Sequence, residues 1–450
     1  MKTLIAAAIA GSLTVSIPYL FPTPAIAMQA ELAGPEISVE AMREDLRELA
    51  SNIKTNHPRP FRIITEEDFD ALVERKVASL DEYATRPDLL WAMSEILASI
   101  GCGHSRMPFF NQENALIDVS ERFPVDVRVH DGRLYVMDPL SNSEHLSKGE
   151  EIVSINGTPV PQLMQEIFAH IGADVDLPNI KGPTFNVYAN AYVTYALDFP
   201  STYHVRLRGS ADSIKLNPLE EFEDRPVISP LADCQDQLCY HVDEERNIGI
   251  MTIRSFGYYG AAGQEFVDFT ASVFDDLGTQ DRSGLLIDTR GVLGGSGNVD
   301  SYLLRHLAEQ PFDYFDASAS DPRSSESLFT PQRPIVTEFD GPAFILMDGM
   351  TVSALPHFYA VAKHNEIATL IGEPAGGGKS TTDGKAQLTA SNSGITYTVA
   401  RMRFDVAAPS LSINEAVRPD IVLPYSLEDV LDRTDSMRAR ALDLLAIQAN

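Results

Sequence analysis

The sequence is poor in cysteine, tryptophan and basic residues. Its 450 residues include three cysteines and one tryptophan, which excludes a small disulfide-framework protein and a zinc site built from paired cysteines. Lysine and arginine total 35 against 64 aspartate and glutamate residues, so the formal net charge is −29. A chain this acidic repels nucleic acid and anionic membrane surfaces. We therefore expect no nucleic-acid partner.

Metal-ligand patterns are also missing. The ten histidines form no H-x-x-x-H pair, and no carboxylate cluster of ligand spacing stands beside them. We expect no metal and no cofactor. What remains is an ordinary globular composition, 44% hydrophobic and 22% charged. At about 150 residues per domain, the length indicates two or three domains.

Residues 1–27 have the pattern of a secretory signal peptide. Met1-Lys2 is a short basic start, Leu4 to Leu20 is mostly apolar, and Ala25-Ile26-Ala27 is a small-x-small cleavage site. The alternative, an uncleaved anchor helix, is disfavoured by three prolines in or just after the apolar stretch. We expect a secreted or periplasmic protein without a membrane span after cleavage. In an oxidising compartment Cys234 and Cys239 could pair, leaving Cys102 alone.

Hydrophobic periodicity divides the mature chain into three regions. Residues 28–117 read as an N-terminal helical region with helices near 38–53, 66–80 and 86–100. Residues 118–175 contain alternating strands around an Asp131-Gly132 hairpin turn, then a short helix. That order fits a small PDZ-like peptide-binding module, and a generic β-rich subdomain fits it equally well.

Residues 176–450 alternate strands and helices, as in an α/β layer fold. Paired strands are expected between 388 and 404 around the turn at 392–394, and one last helix is expected over about 426–447.

A serine in this region stands where a buried strand turns into a helix. The strand Ala343 to Met347 runs through a tight turn to Ser353, with Ala354 next to it. The free N–H groups and dipole of a helix N-terminus favour developing negative charge, which suits a nucleophile. The alternative is a serine that only caps the helix.

Glycine-rich loops accompany this serine. Residues 288–298 follow a buried strand and contain Gly294-Gly295, whose backbone N–H groups could form an oxyanion hole. Neither G-x-G-x-x-G nor G-x-S-x-G is matched there. Residues 372–380 imitate a P-loop, but Glu373 stands where that motif needs glycine, so we reject nucleotide binding.

A histidine lies in another glycine-rich turn near the N-terminus. His104 stands between Gly103 and Ser105. A serine nucleophile needs a base with a pKa near neutrality, and histidine is the natural one. The alternative is an ordinary surface histidine.

Together, these segments resemble the secreted serine peptidases of the tail-specific (C-terminal-processing) and tricorn-core type, in the family's order and over most of the mature chain. The matching stretches are Gly103-His104-Ser105, Gly149 to Ile152 with Ile155-Asn156-Gly157, Ile248 to Phe256, Leu286 to Gly291 with Gly294-Gly295, Thr351 to Ala354, Ile371 to Gly377, and Ala416 to Asp420. The resemblance implies an α/β catalytic domain of the crotonase-like spiral type over 176–450.

The resemblance also implies site roles. Ser353 falls on the nucleophile, and the N–H groups of Gly294 or Gly295 and of Ala354 fall on the oxyanion hole. Tricorn-like members take the base from the N-terminal part, which points to His104. Tail-specific members use a lysine whose position here is Gly378, leaving Lys379 one residue beyond as an alternative base in a Ser–Lys dyad.

Other side chains are secondary candidates. Glu415 lies near the family's acidic position but two residues away from it, and His357 is a weaker rival base. Three residues that could orient His104 are Asn414, Cys102 and Ser105.

We therefore expect a serine-type peptidase acting on a peptide or protein substrate. The alternatives are a non-catalytic peptide-binding protein of the same fold and a hydrolase of esters or small amides. The oligomeric state is not indicated.

Overall fold

The computed structural model describes residues 37–107, 117–174, 178–219, 234–323, 325–432 and 434–449. The expected signal peptide at 1–27 lies outside these residues. Within them the chain forms helices and several sheets, so the expected mixed α/β fold is confirmed.

Three helices form the N-terminal region, as expected: α1 (Val39–Asn56), α2 (Glu66–Ser79) and α3 (Arg86–Ser99). Each begins after a residue whose hydroxyl accepts a backbone N–H of the first turn, which satisfies a donor that the helix itself leaves unbonded. These capping residues are Ser38, Thr65 and Thr85. The apolar faces of the helices join one hydrophobic core with the first sheet.

The first sheet is antiparallel in the order β1-β2-β3-β5-β6, with β4 paired to β3. Its strands are β1 (Asp126–His130), β2 (Arg133–Asp138), β3 (Glu151–Ile155), β4 (Thr158–Pro159), β5 (His204–Leu207) and β6 (Ser213–Lys215). Helices α4 (Val160–Ala169) and α5 (Pro178–Ala196), the latter kinked at Tyr188, accompany it. The sheet thus continues beyond residue 175, where the small module was expected to end.

The second sheet has the order β16-β11-β10-β9-β8-β7. Its strands are β7 (Leu238–Asp243), β8 (Ile248–Ile253), β9 (Gly284–Asp288), β10 (Ala343–Met347), β11 (Thr369–Gly372) and β16 (Ile421–Val422). All neighbours pair parallel except β7, which is antiparallel to β8.

Both faces of this sheet are covered, as its nearly continuous apolar strands require. Helices α6 (Gly263–Thr279), α7 (Gly297–Leu307) and α8 (Ala354–His364) pack on one face. The final helix packs on the other face.

The expected final helix over 426–447 is wrong, because the segment forms two helices. They are α9 (Leu427–Asp432) and α10 (Ser436–Ala449). The Asp429 carboxylate accepts hydrogen bonds from the backbone N–H and the hydroxyl of Ser436, and also from the Thr434 hydroxyl. A side chain that binds the start of α10 in this way ends one helix and begins another.

A hairpin from the C-terminal region packs into the N-terminal core. Strands β13 (Ala386–Thr389) and β14 (Thr396–Val399) form the pair expected around residues 392–394. Strand β15 (Met402–Asp405) instead pairs back with β12 (Ser380–Asp383). Buried Ile395, Tyr397 and Val399 belong to the core built by α1–α3 and the first sheet. This packing joins the two ends of the chain.

Cys234 and Cys239 form a disulfide, and Cys102 is a buried free thiol. Among the described residues, no helix is both long enough and apolar enough to cross a membrane.

Candidate active site

Two loops meet at the carboxyl ends of the central strands β9 and β10. One loop carries Gly294 and Gly295 after β9, and the other carries Ser353 after β10. In open α/β sheets this edge is where ligands bind. The position of the two loops therefore follows from parallel strand pairing.

Ser353 is held in an unusual backbone conformation at the start of α8. Its φ is 63° and its ψ is −118°, values that a residue with a Cβ seldom adopts. The turn before it is fixed by Asp348, whose Oδ1 accepts the N–H groups of Gly291 (3.0 Å) and Met350 (3.1 Å). The surrounding turn thus stabilises the strained conformation that presents the Ser353 hydroxyl.

Gly294 and Gly295 are glycines for steric reasons. Their φ values are +98° and +155°. A Cβ on Gly294 would lie 2.5 Å from Ser353 Cβ, and one on Gly295 would lie 2.1 Å from the carbonyl carbon of Phe256. The glycine loop therefore passes directly against Ser353.

Three backbone N–H groups of these two loops are unbonded among the described residues. Within the described part of the chain, the N–H groups of Gly294, Gly295 and Ala354 have no protein acceptor. Ala354 is the first residue of α8, whose first N–H groups lack partners within the helix. These three groups are available to an oxygen atom beside Ser353.

A buried ion network anchors the glycine loop. The Arg290 guanidinium, 1% exposed, bonds Asp288 through Nε (2.9 Å) and Asp435 through Nη1 (2.8 Å). Burial alone would lower the pKa of Arg290, but these carboxylates hold it well above its usual range. The loop after β9 is thereby tied to the start of α10.

His104 lies beside Ser353 although it is distant in sequence. Its Nε2 is 3.2 Å from Ser353 Oγ, across 249 residues. In the described residues this is the one hydrogen bond of the Ser353 hydroxyl.

The turn that carries His104 is fixed from both regions of the chain. Asp174 Oδ1 accepts the Gly103 N–H (2.9 Å), and Asp174 Oδ2 accepts the Thr381 hydroxyl (2.6 Å). The Thr398 hydroxyl on β14 donates to the His104 carbonyl (2.8 Å). The turn is therefore held by the Asp174 carboxylate and by the β13–β14 hairpin.

The ring of His104 is nearly enclosed. Burial lowers its pKa below the ordinary 6.5, and nearby Asp383 and Asp174 act in the opposite direction. Its Nδ1 is buried and has no hydrogen-bond partner among the described residues. Asp383 Oδ2 lies 3.4 Å from Nε2, the same nitrogen that faces Ser353. The imidazole is therefore neutral at neutral pH and can accept a proton.

Comparison with known proteins finds a family similarity over the part of the chain that contains β8 to β16. Residues 247–423 match the family model described as "Peptidase family S41". These residues are therefore similar to peptidase family S41. The chain is therefore a serine-type peptidase, and its substrates are peptides or proteins. A comparison with curated proteins finds no match.

Solved structures resemble most of the chain. A point mutant of CPAF has a TM-score of 0.60 at 12% identity, covering 91% of this chain and 97% of that chain. Mature CPAF complexed with lactacystin has a TM-score of 0.59 at 12% identity, covering 90% of this chain and 98% of that chain. At such identities the likeness concerns the fold alone.

Neither of the other candidate bases forms a hydrogen bond with Ser353 among the described residues. Lys379 Nζ donates to the carbonyl oxygen of Ala408 (3.1 Å), and the described residues show no contact between it and Ser353. His357 is buried, which lowers its pKa to about 4. Its Nε2 has no partner among the described residues, so its ring is a packing element of α8.

The secondary candidates do not touch the His104 ring. Glu415 is exposed, and its carbonyl oxygen lies against Gly378. Asn414 accepts a hydrogen bond from Arg62 (3.2 Å). Cys102 and Ser105 bind each other through the Ser105 N–H and the Cys102 sulfur (3.2 Å). They brace the turn that carries His104, not its ring.

Two carboxylates near His104 were missed from the sequence. Asp174 and Asp383 lie 70 or more positions away from His104 and belong to no motif of the family resemblance. The available signal was the run Ser380-Thr381-Thr382-Asp383 directly after the glycine-rich stretch. In the described part of the chain, no group of three or more His, Cys, Asp or Glu side chains could hold a metal ion.

Proposed function

We propose that this peptidase cleaves peptide bonds with Ser353 as nucleophile and His104 as general base. The observation that carries the proposal is the 3.2 Å approach of His104 Nε2 to Ser353 Oγ. The strained turn of Ser353 and the unbonded N–H groups beside it support the same roles, because a nucleophile, a base and an oxyanion site must converge.

In the first step the Ser353 oxygen attacks the substrate carbonyl carbon while His104 Nε2 takes the hydroxyl proton. The carbonyl oxygen becomes an oxyanion, and the N–H groups of Gly294 or Gly295 and of Ala354 donate to it. Each such donor is worth about 3–4 kcal/mol in hydrolases. Catalysis thus depends on backbone groups that are already in place.

In the second step the C–N bond breaks as His104 returns its proton to the leaving amine. A water molecule, activated by the same imidazole, then attacks the acyl-enzyme and regenerates Ser353. His104 is neutral when it accepts the Ser353 proton and again when it activates the water molecule, and it carries the proton between these events.

We also propose that the enzyme acts outside the cytoplasm. The sequence of residues 1–27 has the features of a signal peptide. The disulfide between Cys234 and Cys239 agrees with an oxidising compartment. In this proposal the first sheet serves as the PDZ-like module that receives the substrate chain.

The roles are tested with the mature protein and fluorescein-labelled casein. Ser353→Ala should abolish the release of labelled peptides while leaving the thermal unfolding midpoint unchanged. The matched control is Ser272→Ala, which removes a hydroxyl that donates only to its own helix at Phe269. Undiminished hydrolysis by Ser353→Ala would reject Ser353 as the nucleophile.

A further inference from the structure

The ring nitrogen of His104 that faces the nucleophile has a second neighbour. Asp383 Oδ2 lies 3.4 Å from His104 Nε2, and Ser353 Oγ lies 3.2 Å from the same atom. The opposite nitrogen, Nδ1, is buried and has no partner among the described residues. A positive charge on protonated His104 would therefore be attracted by the Asp383 carboxylate, which lies at the same ring nitrogen as Ser353.

Asp383 is fixed by its place in the sheet. It ends β12, pairs with Met402 of β15, and its carbonyl oxygen accepts the Arg401 N–H (2.8 Å). Its side chain is 29% exposed, and Lys385 Nζ lies 3.3 Å from its other oxygen, Oδ1. Oδ2 is thus directed at His104 while Oδ1 binds a lysine.

Two other carboxylates, those of Asp174 and Glu415, are less suited to interact with the His104 ring. Both oxygens of Asp174 are engaged, by the Gly103 N–H and by the Thr381 hydroxyl. Glu415, the acid expected from the family pattern, is exposed and does not contact His104 in the described part of the chain. Among the described residues, Asp383 is the carboxylate within 4 Å of a His104 ring nitrogen.

We propose that Asp383 is the positioning residue that stabilises the His104 imidazolium during acyl transfer, in place of a carboxylate at Glu415. This inference rests on the proposed roles of Ser353 and His104.

The Ser353 hydroxyl proton moves to Nε2 as the bond from Oγ to the carbonyl carbon forms. The resulting Nε2–H lies between Oγ and Asp383, and the ionised carboxylate lowers the energy of the positive ring. As the C–N bond breaks, this proton passes to the leaving amine, and no proton is transferred to Asp383.

Removal of Asp383 and removal of Lys385 should shift the pKa of His104 in opposite directions. Asp383 and Asp174 favour the protonated ring, whereas Lys385, Arg106 and burial disfavour it. The buried ring of His357 is neutral near neutral pH. Removing Asp383 should therefore lower the pKa of His104, and removing Lys385 should raise it.

The experiment compares Asp383→Asn and Lys385→Gln with the wild-type enzyme in pH profiles of kcat/KM. Asp383→Asn should lower the plateau about 10- to 100-fold and move the acid limb to lower pH. Lys385→Gln should move the acid limb to higher pH, and Asp383→Glu should restore part of the plateau. A variant that only loosened the fold would lower the melting temperature without shifting the two limbs in opposite directions.

A second measurement does not depend on activity. The His104 ring is titrated by NMR in histidine-labelled Ser353→Ala protein, with His104→Gln identifying its signal. The His104 pKa should fall when Asp383→Asn is added. An unchanged plateau with an unchanged His104 pKa would overturn the role of Asp383, even if Ser353 and His104 proved essential. Full activity of Ser353→Ala would instead overturn the proposed function.

Discussion

Ser353 Oγ and His104 Nε2 lie 3.2 Å apart although 249 residues separate them. The β13–β14 hairpin makes this approach possible, because its apolar residues belong to the N-terminal core while Thr398 holds the His104 carbonyl. Arg106 and Thr398 also exchange backbone hydrogen bonds of 3.2 Å and 3.0 Å. His104 is therefore held beside Ser353 by the packing of the β13–β14 hairpin against the N-terminal core.

The first prediction concerns the identity of the base. His104→Gln should lower kcat/KM about 10²- to 10⁴-fold, because it removes the proton acceptor beside Ser353. Lys379→Gln should change kcat/KM little, because Lys379 binds the carbonyl oxygen of Ala408. Steady-state hydrolysis of one peptide by both variants decides the question. Loss of activity in Lys379→Gln with activity retained in His104→Gln would favour a Ser–Lys dyad.

The second prediction concerns Gly294. A Cβ there would lie 2.5 Å from Ser353 Cβ and 2.8 Å from the carbonyl oxygen of Val352. Gly294→Ala should therefore displace Ser353 or the oxyanion donors and lower kcat about 100-fold or more.

The control for Gly294 is Gly209→Ala. Gly209 also has a positive φ, +80°, but nothing lies within 4 Å of an added Cβ. This control should lose about 1 kcal/mol of unfolding free energy and keep its kcat. Equal effects of the two substitutions on kcat would show that contact between Gly294 and Ser353 is unimportant.

The third prediction concerns Asp174, which is 6% exposed. Asp174→Ala removes the acceptor of both the Gly103 N–H and the Thr381 hydroxyl, so it should lower kcat and cost about 1–3 kcal/mol of unfolding free energy. Asp174→Asn should retain most of the kcat and most of the unfolding free energy, because its amide can accept from the Gly103 N–H and donate to the Thr381 oxygen. Urea unfolding and kcat are measured for each variant. Equal losses of kcat and unfolding free energy in Asp174→Ala and Asp174→Asn would mean that the negative charge of Asp174, not its hydrogen bonding, is required.

The fourth prediction concerns acid stability and His357. Burial lowers the pKa of His357 to about 4, against an ordinary value of 6.5. The unfolded chain takes up a proton as the pH falls through 6.5, while the folded chain does not until about 4. Neutral, buried His357 therefore contributes its full share of the unfolding free energy above pH 6.5, and this contribution is lost as the pH falls from 6.5 to about 4. Between about pH 7.5 and about pH 5, wild type should lose about 2 kcal/mol more than His357→Leu.

This comparison must be made between variants, because other groups titrate in the same range. Burial raises the pKa of Glu373 to about 7, so protonation of Glu373 increases the unfolding free energy of the protein as the pH falls. Urea midpoints of both proteins at the two pH values give the difference. Parallel losses in wild type and His357→Leu would contradict the lowered pKa of His357.

Local patterns were sufficient to predict many elements but not their long-range pairing. The helices α1–α3 and the strands β8, β9 and β10 follow from hydrophobic periodicity and end signals. Helix α5 was missed because Gly182 and Pro183 lie inside it. Strands β5 and β6 complete the first sheet through a crossover that no local signal indicates.

In the site, too, some residues could be predicted from local sequence and others depend on long-range contacts. Ser353, Gly294 and Gly295 lie in strand-to-helix loops whose chemistry can be read locally, and the family resemblance pointed to His104. Asp174 and Asp383 depend on contacts with His104 and Gly103 that arise only when distant segments pack. Periodicity carries no information about such contacts.

The most direct test is covalent labelling by a fluorophosphonate, which reacts with activated serines. The wild-type protein should carry one adduct, and mass spectrometry should locate it on Ser353. His104→Gln should react much more slowly, and a peptide substrate should compete with the reagent. Labelling of a different serine, or equal labelling rates with and without His104, would contradict the pairing of Ser353 with His104.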